Sequence, residues 1–376
     1  MIMVVGLLKE TESRVALVPD DLATLQKLKV ATVLVEKGAG DTAFYSDEAY
    51  ELKGAKIVDR VEVLRQADLL LVIHAPSSEE LAQLKSGCVL AGQFNPLQQP
   101  EITALFKTTR STAFSLELIP RTTRAQAMDV LSSMAMVSGY KAVLLSAVEQ
   151  THMFPMSMTA AGSIRPAKML VLGAGVAGLQ AIATGRRLGA VVEAFDVRAA
   201  AREEVESLGG KFVEVEGAKD DRAAGGYAVE QTEEFKQRQA SLIADHASKS
   251  DVIICTAQIP GRKAPLLITS ETIDRMKPGS VIVDLAASTG GNCAYTVSGK
   301  KIIVNGVSIL GYSDLPTTMS ADASKMLSKN MVNFLALIIK EGELVLNFED
   351  DIVTGTCLSK DGEVHHPRVQ QLLQPQ

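Results

Sequence analysis

The sequence predicts an α/β protein with two doubly wound parallel sheets, each in its own domain, and a ligand cleft between the domains. Three observations support this class: short apolar runs alternate with amphipathic segments, a second such series begins near residue 168, and a long helical pattern follows each series. Continuous apolar runs are typical of parallel strands covered on both faces. A chain of 376 residues is long enough for two domains.

The first series contains six expected strands. Helix start signals stand between them, such as Pro19 followed by two aspartates, and Ser77 with Glu80 in the spacing of a capping box. This alternation of strand and helix predicts right-handed crossovers within one sheet. The expected strands cover residues 1–8, 31–36, 55–58, 67–73, 88–94 and 111–119.

The two long helical patterns predict the domain organisation. The first runs from Arg124 to about Gln150, longer than a normal crossover helix, and suits a connection between domains. The second, over residues 320–339, is expected to return the chain to the first domain. We therefore predict one domain over residues 1–135 and 320–376, and a second over residues 136–319. A cleft between domains is a common ligand site.

Composition and charge exclude several functional classes. With 38 Lys and Arg against 44 Asp and Glu, the chain carries a formal charge of −6 and lacks the basic surface of a nucleic-acid-binding protein. Its cysteines and histidines show no metal-ligand spacing, so we expect no metal site. No uncharged apolar run has the ~18 residues of a membrane span, and the N-terminus lacks a signal-peptide pattern. His365 and His366 are expected in solvent.

A glycine-rich turn is the strongest functional signal. An expected strand over residues 167–172 runs directly into G-x-G-x-x-G, and a helical pattern follows. The glycines are Gly173, Gly175 and Gly178. The first permits the tight turn, the second lets a pyrophosphate approach the backbone, and the third lets the helix pack closely. The helix N-terminus favours phosphate, so this Rossmann-like pattern predicts a dinucleotide site.

An acidic residue ends the next expected strand. Asp196 lies 18 residues after Gly178. A carboxylate there accepts hydrogen bonds from the adenosine ribose and repels a 2′-phosphate, so the pattern favours NAD over NADP. Arg198 weakens this exclusion slightly, because a guanidinium neutralises a phosphate.

Polar side chains interrupt the first long helical pattern. Gln126, Asp129 and Ser132 recur every three residues, so we expect them on one helix face among apolar neighbours. Arg121 lies just before this helix. A buried polar stripe needs partners, and the carboxamide and ribose of a nicotinamide nucleotide match these groups. A solvated or inter-helix polar face is the alternative.

These strings resemble domain I of proton-translocating nicotinamide nucleotide transhydrogenases. The resemblance is most specific over residues 120–133 and spans essentially the whole chain. Besides the glycine turn and residues 196–198, it includes residues 139–140, 225–227, 259–261, 277–280, 290–292 and 321–324. The alanine dehydrogenases are a related family with the same fold.

The resemblance implies an enzyme subunit that binds NAD(H), while a partner subunit presents NADP(H) for direct hydride transfer. It also implies a homodimer that docks onto a membrane-spanning proton-channel subunit and the NADP(H)-binding subunit, on the cytoplasmic face of the membrane. Four of its residues would position the nicotinamide without acid or base chemistry: Arg121, Gln126, Asp129 and Ser132. The other residues assigned to NAD(H) are Gly173, Gly175, Val176, Ala177, Gly178, Asp196, Val197, Arg198, Gly226, Tyr227, Gln239 and Gln258.

The polar stretch over residues 217–239 contains Gly226 and Tyr227. The resemblance makes it a mobile loop that closes over NAD(H), and an ordinary surface connection is the alternative.

Two other functions stay open. An alanine dehydrogenase needs a proton donor and a cation at the keto acid, whereas hydride transfer between two nicotinamide rings needs neither. The alanine dehydrogenases use a Lys, a His and an Asp for this purpose. The matching positions of this sequence hold Val72, Asn95 and Ser288, which favours the transhydrogenase. A non-catalytic NAD sensor would have the same pocket. Ser288 and Gln258 also depart from the transhydrogenase pattern.

Overall fold

A computed structural model describes residues 3–215, 232–259 and 261–374. The chain divides into two compact units, unit 1 with residues 1–134 and 317–376, and unit 2 with residues 135–316. Each unit contains a sheet made mainly of parallel strands, which confirms the predicted α/β class. The cleft expected between them remains a prediction.

Strands and helices are numbered here along the chain. The described strands are β1 (Val4–Leu7), β2 (Thr32–Glu36), β3 (Lys56–Val58), β4 (Leu69–Leu71), β5 (Val89–Gly92), β6 (Thr112–Ser115), β7 (Ser157–Thr159), β8 (Gly162–Ile164), β9 (Lys168–Leu172), β10 (Val191–Phe195), β11 (Lys211–Val213), β12 (Val252–Cys255), β13 (Val281–Asp284), β14 (Lys301–Val304), β15 (Val307–Leu310), β16 (Ile339–Lys340), β17 (Glu343–Leu344), β18 (Cys357–Lys360) and β19 (Glu363–Val364). The described α-helices are α1 (Leu22–Lys27), α2 (Asp47–Glu51), α3 (Arg60–Gln66), α4 (Ser78–Leu81), α5 (Ile102–Thr109), α6 (Val130–Glu149), α7 (Val176–Arg187), α8 (Ala201–Ser207), α9 (Glu233–Ala247), α10 (Ser270–Asp274), α11 (Ser320–Ile338), α12 (Asp351–Thr356) and α13 (Pro367–Leu373).

The sheet of unit 1 has the order β19-β18-β6-β5-β4-β1-β2-β3. Its first six strands along the chain are parallel, and the order reverses at β1, where Val5 pairs with Leu69 on one side and Val33 on the other. Every residue of β4 and β5 is buried, as their apolar runs predicted. Strand β18, from the C-terminal part of the chain, adds to β6 in the antiparallel direction.

The sheet of unit 2 has the order β11-β10-β9-β12-β13-β15-β14, and only β14 among these strands is antiparallel to its neighbour. Successive residues of β9 point to opposite faces. Met169 and Val171 therefore pack in one buried cluster, and Leu170 and Leu172 in another. The strand order reverses at β9, whose carboxyl end leads into the glycine turn.

Helix α6 begins later than the sequence predicts. Residues Thr123–Met128 form a 3₁₀ helix, Asp129 is extended with φ −74° and ψ 92°, and α6 starts at Val130. The Asp129 carboxylate accepts hydrogen bonds from the Ser132 N–H (2.9 Å) and from the Ser132 hydroxyl (2.6 Å). The bond from the N–H is that of a helix N-cap residue. The predicted helix from Arg124, and with it one common helix face for Gln126, Asp129 and Ser132, is wrong.

By length and composition, α6 would pass for a membrane span, and no other helix of the described residues does so. Ala142 and Val143 of α6 are fully buried in the unit 2 core. A core helix of a globular domain has the same composition, so α6 by itself is weak evidence for a membrane.

The two C-terminal histidines differ in exposure. His365 is exposed, but His366 retains only 9% of its surface, so the prediction of a solvent position is wrong for His366. It directly precedes α13, whose Val369 is fully buried in the unit 1 core. Burial lowers the pKa of His366 to about 4, and no described residue bonds its Nδ1 atom.

We expect His366 to make folding stability depend on pH. The pKa of His366 in the folded state lies below the ordinary value of 6.5. Its contribution to the free energy of unfolding is therefore fully present above pH 6.5 and is lost as the pH falls toward 4. His366→Gln should remove about 1–3 kcal/mol of this pH dependence. Urea unfolding above pH 6.5 and near pH 4 measures the free energy of unfolding on both sides of this transition. His365→Gln, at the exposed neighbour, should behave like the unaltered chain, and equal effects of both changes would contradict the assignment.

Candidate functional site

The glycine turn joins β9 to α7 where the strand order of unit 2 reverses. Gly173 has φ +100°, a conformation that favours glycine, and its N–H donates to the carbonyl of Phe195 at the end of β10 (2.8 Å). A Cβ on Gly178 would collide with the Gly173 carbonyl oxygen, so α7 can approach the strand only with glycine there. Open parallel sheets bind ligands at such a reversal of strand order.

The start of α7 has room and donors for an anion. A Cβ added to Gly175 would meet no described atom within 4 Å, and no side chain caps the helix. Val176, the first helical residue, is 42% exposed although it is apolar. The first N–H groups of a helix have no partner within the helix and carry partial positive charge. Residues 175–178 therefore fit the pyrophosphate of a dinucleotide.

Asp196 follows β10 and is already hydrogen-bonded to its neighbours. Its Oδ2 accepts from the Ala174 N–H (2.7 Å) and from Arg198 Nη2 (2.9 Å). Its Oδ1 accepts from the N–H and the Nε of Arg198 (2.8 and 2.9 Å). The carboxylate is 8% exposed. Four donors thus occupy the carboxylate, so a ribose hydroxyl would have to replace one of them to bind Asp196, and this was not evident from the sequence.

A buried polar network lies beside the turn, and the sequence did not single it out. The Thr256 hydroxyl donates to the Gly173 carbonyl (2.9 Å). The Asn292 side chain accepts from the N–H of Ala257 (3.1 Å) and donates to its carbonyl (2.9 Å). The Asn292 N–H donates in turn to Asp284 (2.7 Å), whose pKa is raised by burial. This network holds the segment after β12 against the glycine turn.

Two signals would have found the network: Asp284 ends an apolar strand, and Asn292 directly follows a pair of glycines. Both are polar side chains in stretches where burial is expected, so each needs hydrogen-bond partners.

Of the remaining unit 2 candidates, two make no described hydrogen bond to Thr256, Asn292 or Asp284, and two lie outside the described residues. Gln258 is exposed, and its Nε2 donates to the Thr289 hydroxyl (3.2 Å). Gln239 is half-buried on α9, and no described hydrogen bond joins it to the glycine turn. Gly226 and Tyr227 of the expected loop lie outside the described residues.

The second group of candidates belongs to unit 1. Gln126 is exposed within the 3₁₀ helix, and Arg121 is exposed just before it. Asp129 and Ser132 are half-buried and bonded to each other at the start of α6. The four residues are therefore grouped on one short segment, but they present polar groups from a loop and a helix cap instead of from a buried stripe. Within residues 3–215, 232–259 and 261–374, no three His, Cys, Asp or Glu side chains could hold a metal ion.

Comparisons with known proteins agree with this geometry. Residues 6–138 match the family model described as alanine dehydrogenase/PNT, N-terminal domain, and residues 142–367 match that of the C-terminal domain. The chain belongs to the alanine dehydrogenase/PNT family. The family resemblance predicted from the sequence is confirmed.

Among its relatives, the chain is more similar to transhydrogenases than to alanine dehydrogenases. It is 46% identical to an NAD(P) transhydrogenase subunit alpha chain of Rhodospirillum rubrum over 95% of both chains. A crystal structure of transhydrogenase from Sinorhizobium meliloti matches with a TM-score of 0.88 and 43% identity, over 96% of this chain and 99% of that one. Alanine dehydrogenase of Bacillus subtilis is 30% identical over 77% of this chain and 72% of that protein.

Gly175→Ala should separate cofactor binding from folding. A Cβ there meets open space and the φ angle of −76° suits alanine, so the free energy of unfolding should change by less than about 0.5 kcal/mol. A pyrophosphate bound by residues 175–178 would need the space that the added methyl group takes, so we expect NADH affinity to fall about tenfold or more. Fluorescence titration and urea unfolding measure the two quantities.

Gly178→Ala is the matched variant. Its methyl group collides with the Gly173 carbonyl, so it should cost about 1–3 kcal/mol of stability. Full NADH affinity in Gly175→Ala, or equal stability losses in both variants, would contradict the roles assigned to the two glycines.

Asp196→Asn should shift cofactor preference toward NADPH. The amide oxygen can still accept from the Ala174 N–H, but the loss of charge releases Arg198 to pair with a 2′-phosphate. We expect the affinity for NADPH to rise about tenfold and the affinity for NADH to fall about tenfold. Titration with each nucleotide measures both affinities. Adding Arg198→Ala should abolish the gain for NADPH, and a gain that persists in the double variant would exclude Arg198 as its source.

Proposed function

We propose that this chain is the NAD(H)-binding subunit of a proton-translocating transhydrogenase. In this reaction, a hydride passes directly from NADH on this chain to NADP⁺ on a partner subunit, and NAD⁺ and NADPH are formed. The observation that carries the proposal is the glycine turn at the strand-order reversal of unit 2, with the Asp196–Arg198 pair beside it. The 46% identity to a transhydrogenase alpha subunit supports the reaction class.

In this proposal, the phosphate and ribose ends of NAD(H) bind in unit 2. The pyrophosphate binds the N–H groups that follow Gly175, and Asp196 binds the adenosine ribose in exchange for bonds to Arg198. Further contacts are assigned to Gly173, Val176, Ala177, Gly178, Val197, Gly226, Tyr227, Gln239 and Gln258.

Arg121, Gln126, Asp129 and Ser132 are proposed to position the nicotinamide end. An amide, a guanidinium and a hydroxyl match the donors and acceptors of a carboxamide and its ribose. Hydride transfer between two nicotinamide rings moves no proton on the protein, so it requires the rings in contact and correctly oriented. Residues that hold geometry are sufficient for such a reaction.

The proposed partners are the NADP(H)-binding subunit and a membrane-spanning proton-channel subunit, which couples hydride transfer to proton translocation. The name "subunit alpha" of the relatives implies a complex of several subunits. We place this chain on the cytoplasmic face of the membrane, held there through these partners.

We also propose a homodimer. Among the described strands, β7 and β8 pair only with each other, and an isolated two-stranded hairpin is marginally stable in water. Their apolar side chains are exposed: Met158 at 76%, Ile164 at 45%, and Met156 just before β7 at 65%. A second copy that covers this hairpin would remove apolar surface from water.

Isotope transfer tests the proposed reaction. NADH that carries deuterium at both C4 positions is bound to this chain and mixed with the NADP⁺-loaded NADP(H)-binding subunit of a relative. We expect deuterium to appear in NADPH, as mass spectrometry would show, only when both proteins are present. Gln126→Ala should slow the transfer about tenfold, because a misplaced ring lowers the rate.

Two outcomes would overturn the proposal. Oxidation of NADH by pyruvate and ammonia, in the absence of the partner, would indicate an amino-acid dehydrogenase. Tight binding of NADH without any deuterium transfer would indicate an NAD sensor.

A further inference from the structure

The segment that carries Arg121, Gln126 and Asp129 is held at three points by the C-terminal region of unit 1. The first point is Pro120: a Cβ on Gly355 of α12 would collide with the Pro120 ring, so helix and ring are in direct contact. The other two points lie between the proposed nicotinamide residues.

The second point is an ion pair at Arg124. Its Nη1 and Nη2 donate to the two carboxylate oxygens of Asp350 (2.7 and 2.9 Å), and Nη2 also pairs with Asp351. Asp350 at the same time caps α12, because its Oδ1 accepts from the N–H groups of Ile352 and Val353 (2.9 and 3.4 Å). Most exposed ion pairs contribute little, but a bidentate pair to a helix cap has a fixed geometry.

The third point is the carbonyl of Ala127. Asn330 and Asn333 of α11 both donate their Nδ2 groups to it (2.9 Å each). A carbonyl oxygen has two lone pairs, and here the two asparagines of α11 occupy both. Helix α11 is anchored in turn, because the hydroxyls of Ser324 and Ser328 accept from backbone N–H groups at Val15 and Val18 (3.0 Å each).

The three points alternate along the chain with the proposed nicotinamide residues. Arg121 follows Pro120, Gln126 lies between Arg124 and Ala127, and Asp129 follows Ala127. A 3₁₀ helix of six residues has poor hydrogen-bond geometry and rarely persists at this length without outside contacts. The contacts with α11 and α12 therefore fix the positions from which the candidate side chains project.

We propose that Arg124 and Asp350, together with Asn330 and Asn333, are positioning residues that hold Gln126 and Asp129 in register with the nicotinamide. They act through the backbone of the segment and do not touch the nucleotide. This inference rests on the proposed function, but the ion pair and its effect on the segment can be measured independently of any activity.

The test compares Arg124→Ala and Asp350→Asn with the unaltered chain in the deuterium-transfer assay. Asparagine is as good a helix cap as aspartate, so Asp350→Asn keeps α12 and removes the charge of the pair. We expect kcat for transfer to fall about tenfold in both variants while NADH affinity changes less than about twofold, because the ring is misplaced but the phosphate site is intact. The double variant should be no slower than either single variant, and Arg124→Lys should recover part of the rate.

The matched control is Arg275→Ala. Arg275 is 51% exposed, as Arg124 is, and it pairs with Asp245 in unit 2. We expect it to transfer deuterium at the unaltered rate. A uniform loss of NADH affinity with unchanged kcat in Arg124→Ala, or equal slowing in Arg275→Ala, would overturn the inference.

Hydrogen exchange separates this inference from the proposed function. The N–H groups of Ala125 and Asp129 bond to the carbonyls of Thr122 and Gln126 (3.0 and 3.3 Å). Their exchange should accelerate about tenfold in Arg124→Ala and Asp350→Asn but not in Arg275→Ala. If the unaltered chain transfers no deuterium, the proposed function fails, but hydrogen exchange still measures whether Arg124 and Asp350 hold the segment. Unchanged exchange in both variants would overturn their positioning role.

Discussion

The contact between α7 and the end of β9 is the constraint on which the proposed phosphate site of unit 2 depends. Gly178 lies against the Gly173 carbonyl so closely that no side chain fits between them, and Thr256 bonds to the same carbonyl from the end of β12. This packing fixes where the first N–H groups of α7 lie. It also fixes Ala174, whose N–H donates to Asp196 and whose carbonyl accepts from Arg198. One backbone contact therefore sets the geometry of both the residues proposed for the phosphate and those proposed for the ribose.

Unit 1 holds its candidate residues by a different physical means. The segment before α6 is irregular, and side chains rather than glycine packing define its shape: an aspartate at the start of α6, two asparagines on one carbonyl and a bidentate ion pair. Such polar contacts fix a backbone without filling the space around it. Arg121 and Gln126 consequently stay exposed while the backbone of their segment is fixed. Side chains that bind a ligand need both properties, access to the ligand and a fixed position.

Local patterns in the sequence predicted much of the fold and the glycine turn of unit 2, whereas the site residues stay a prediction. The apolar runs of β4 and β5, and the glycines followed by Asp196, depend on neighbours along the chain and could be recognised directly. The start of α6 could not, because Asp129 fits a helical spacing equally well as an interior residue or as a cap. Contacts between distant segments were also missed, such as the bond from Asn292 to Ala257 and the addition of β18 to β6. The predicted solvent position of His366 was wrong because burial near a chain end depends on tertiary packing, which cannot be predicted from the polarity of neighbouring residues.

The hydrogen bonds of Asp129 bear on the kind of chemistry that this site can perform. Both carboxylate oxygens accept from Ser132 at the helix start, so the side chain is tied to the backbone that it caps. A general base has to accept and release a proton within reach of its substrate, and protonation of Asp129 would weaken the cap on which α6 begins. An acceptor fixed in this way is better suited to orienting a donor group, such as a carboxamide or a ribose hydroxyl, than to proton transfer. That property matches the proposed hydride transfer, which depends on the placement of two rings and requires no proton from the protein.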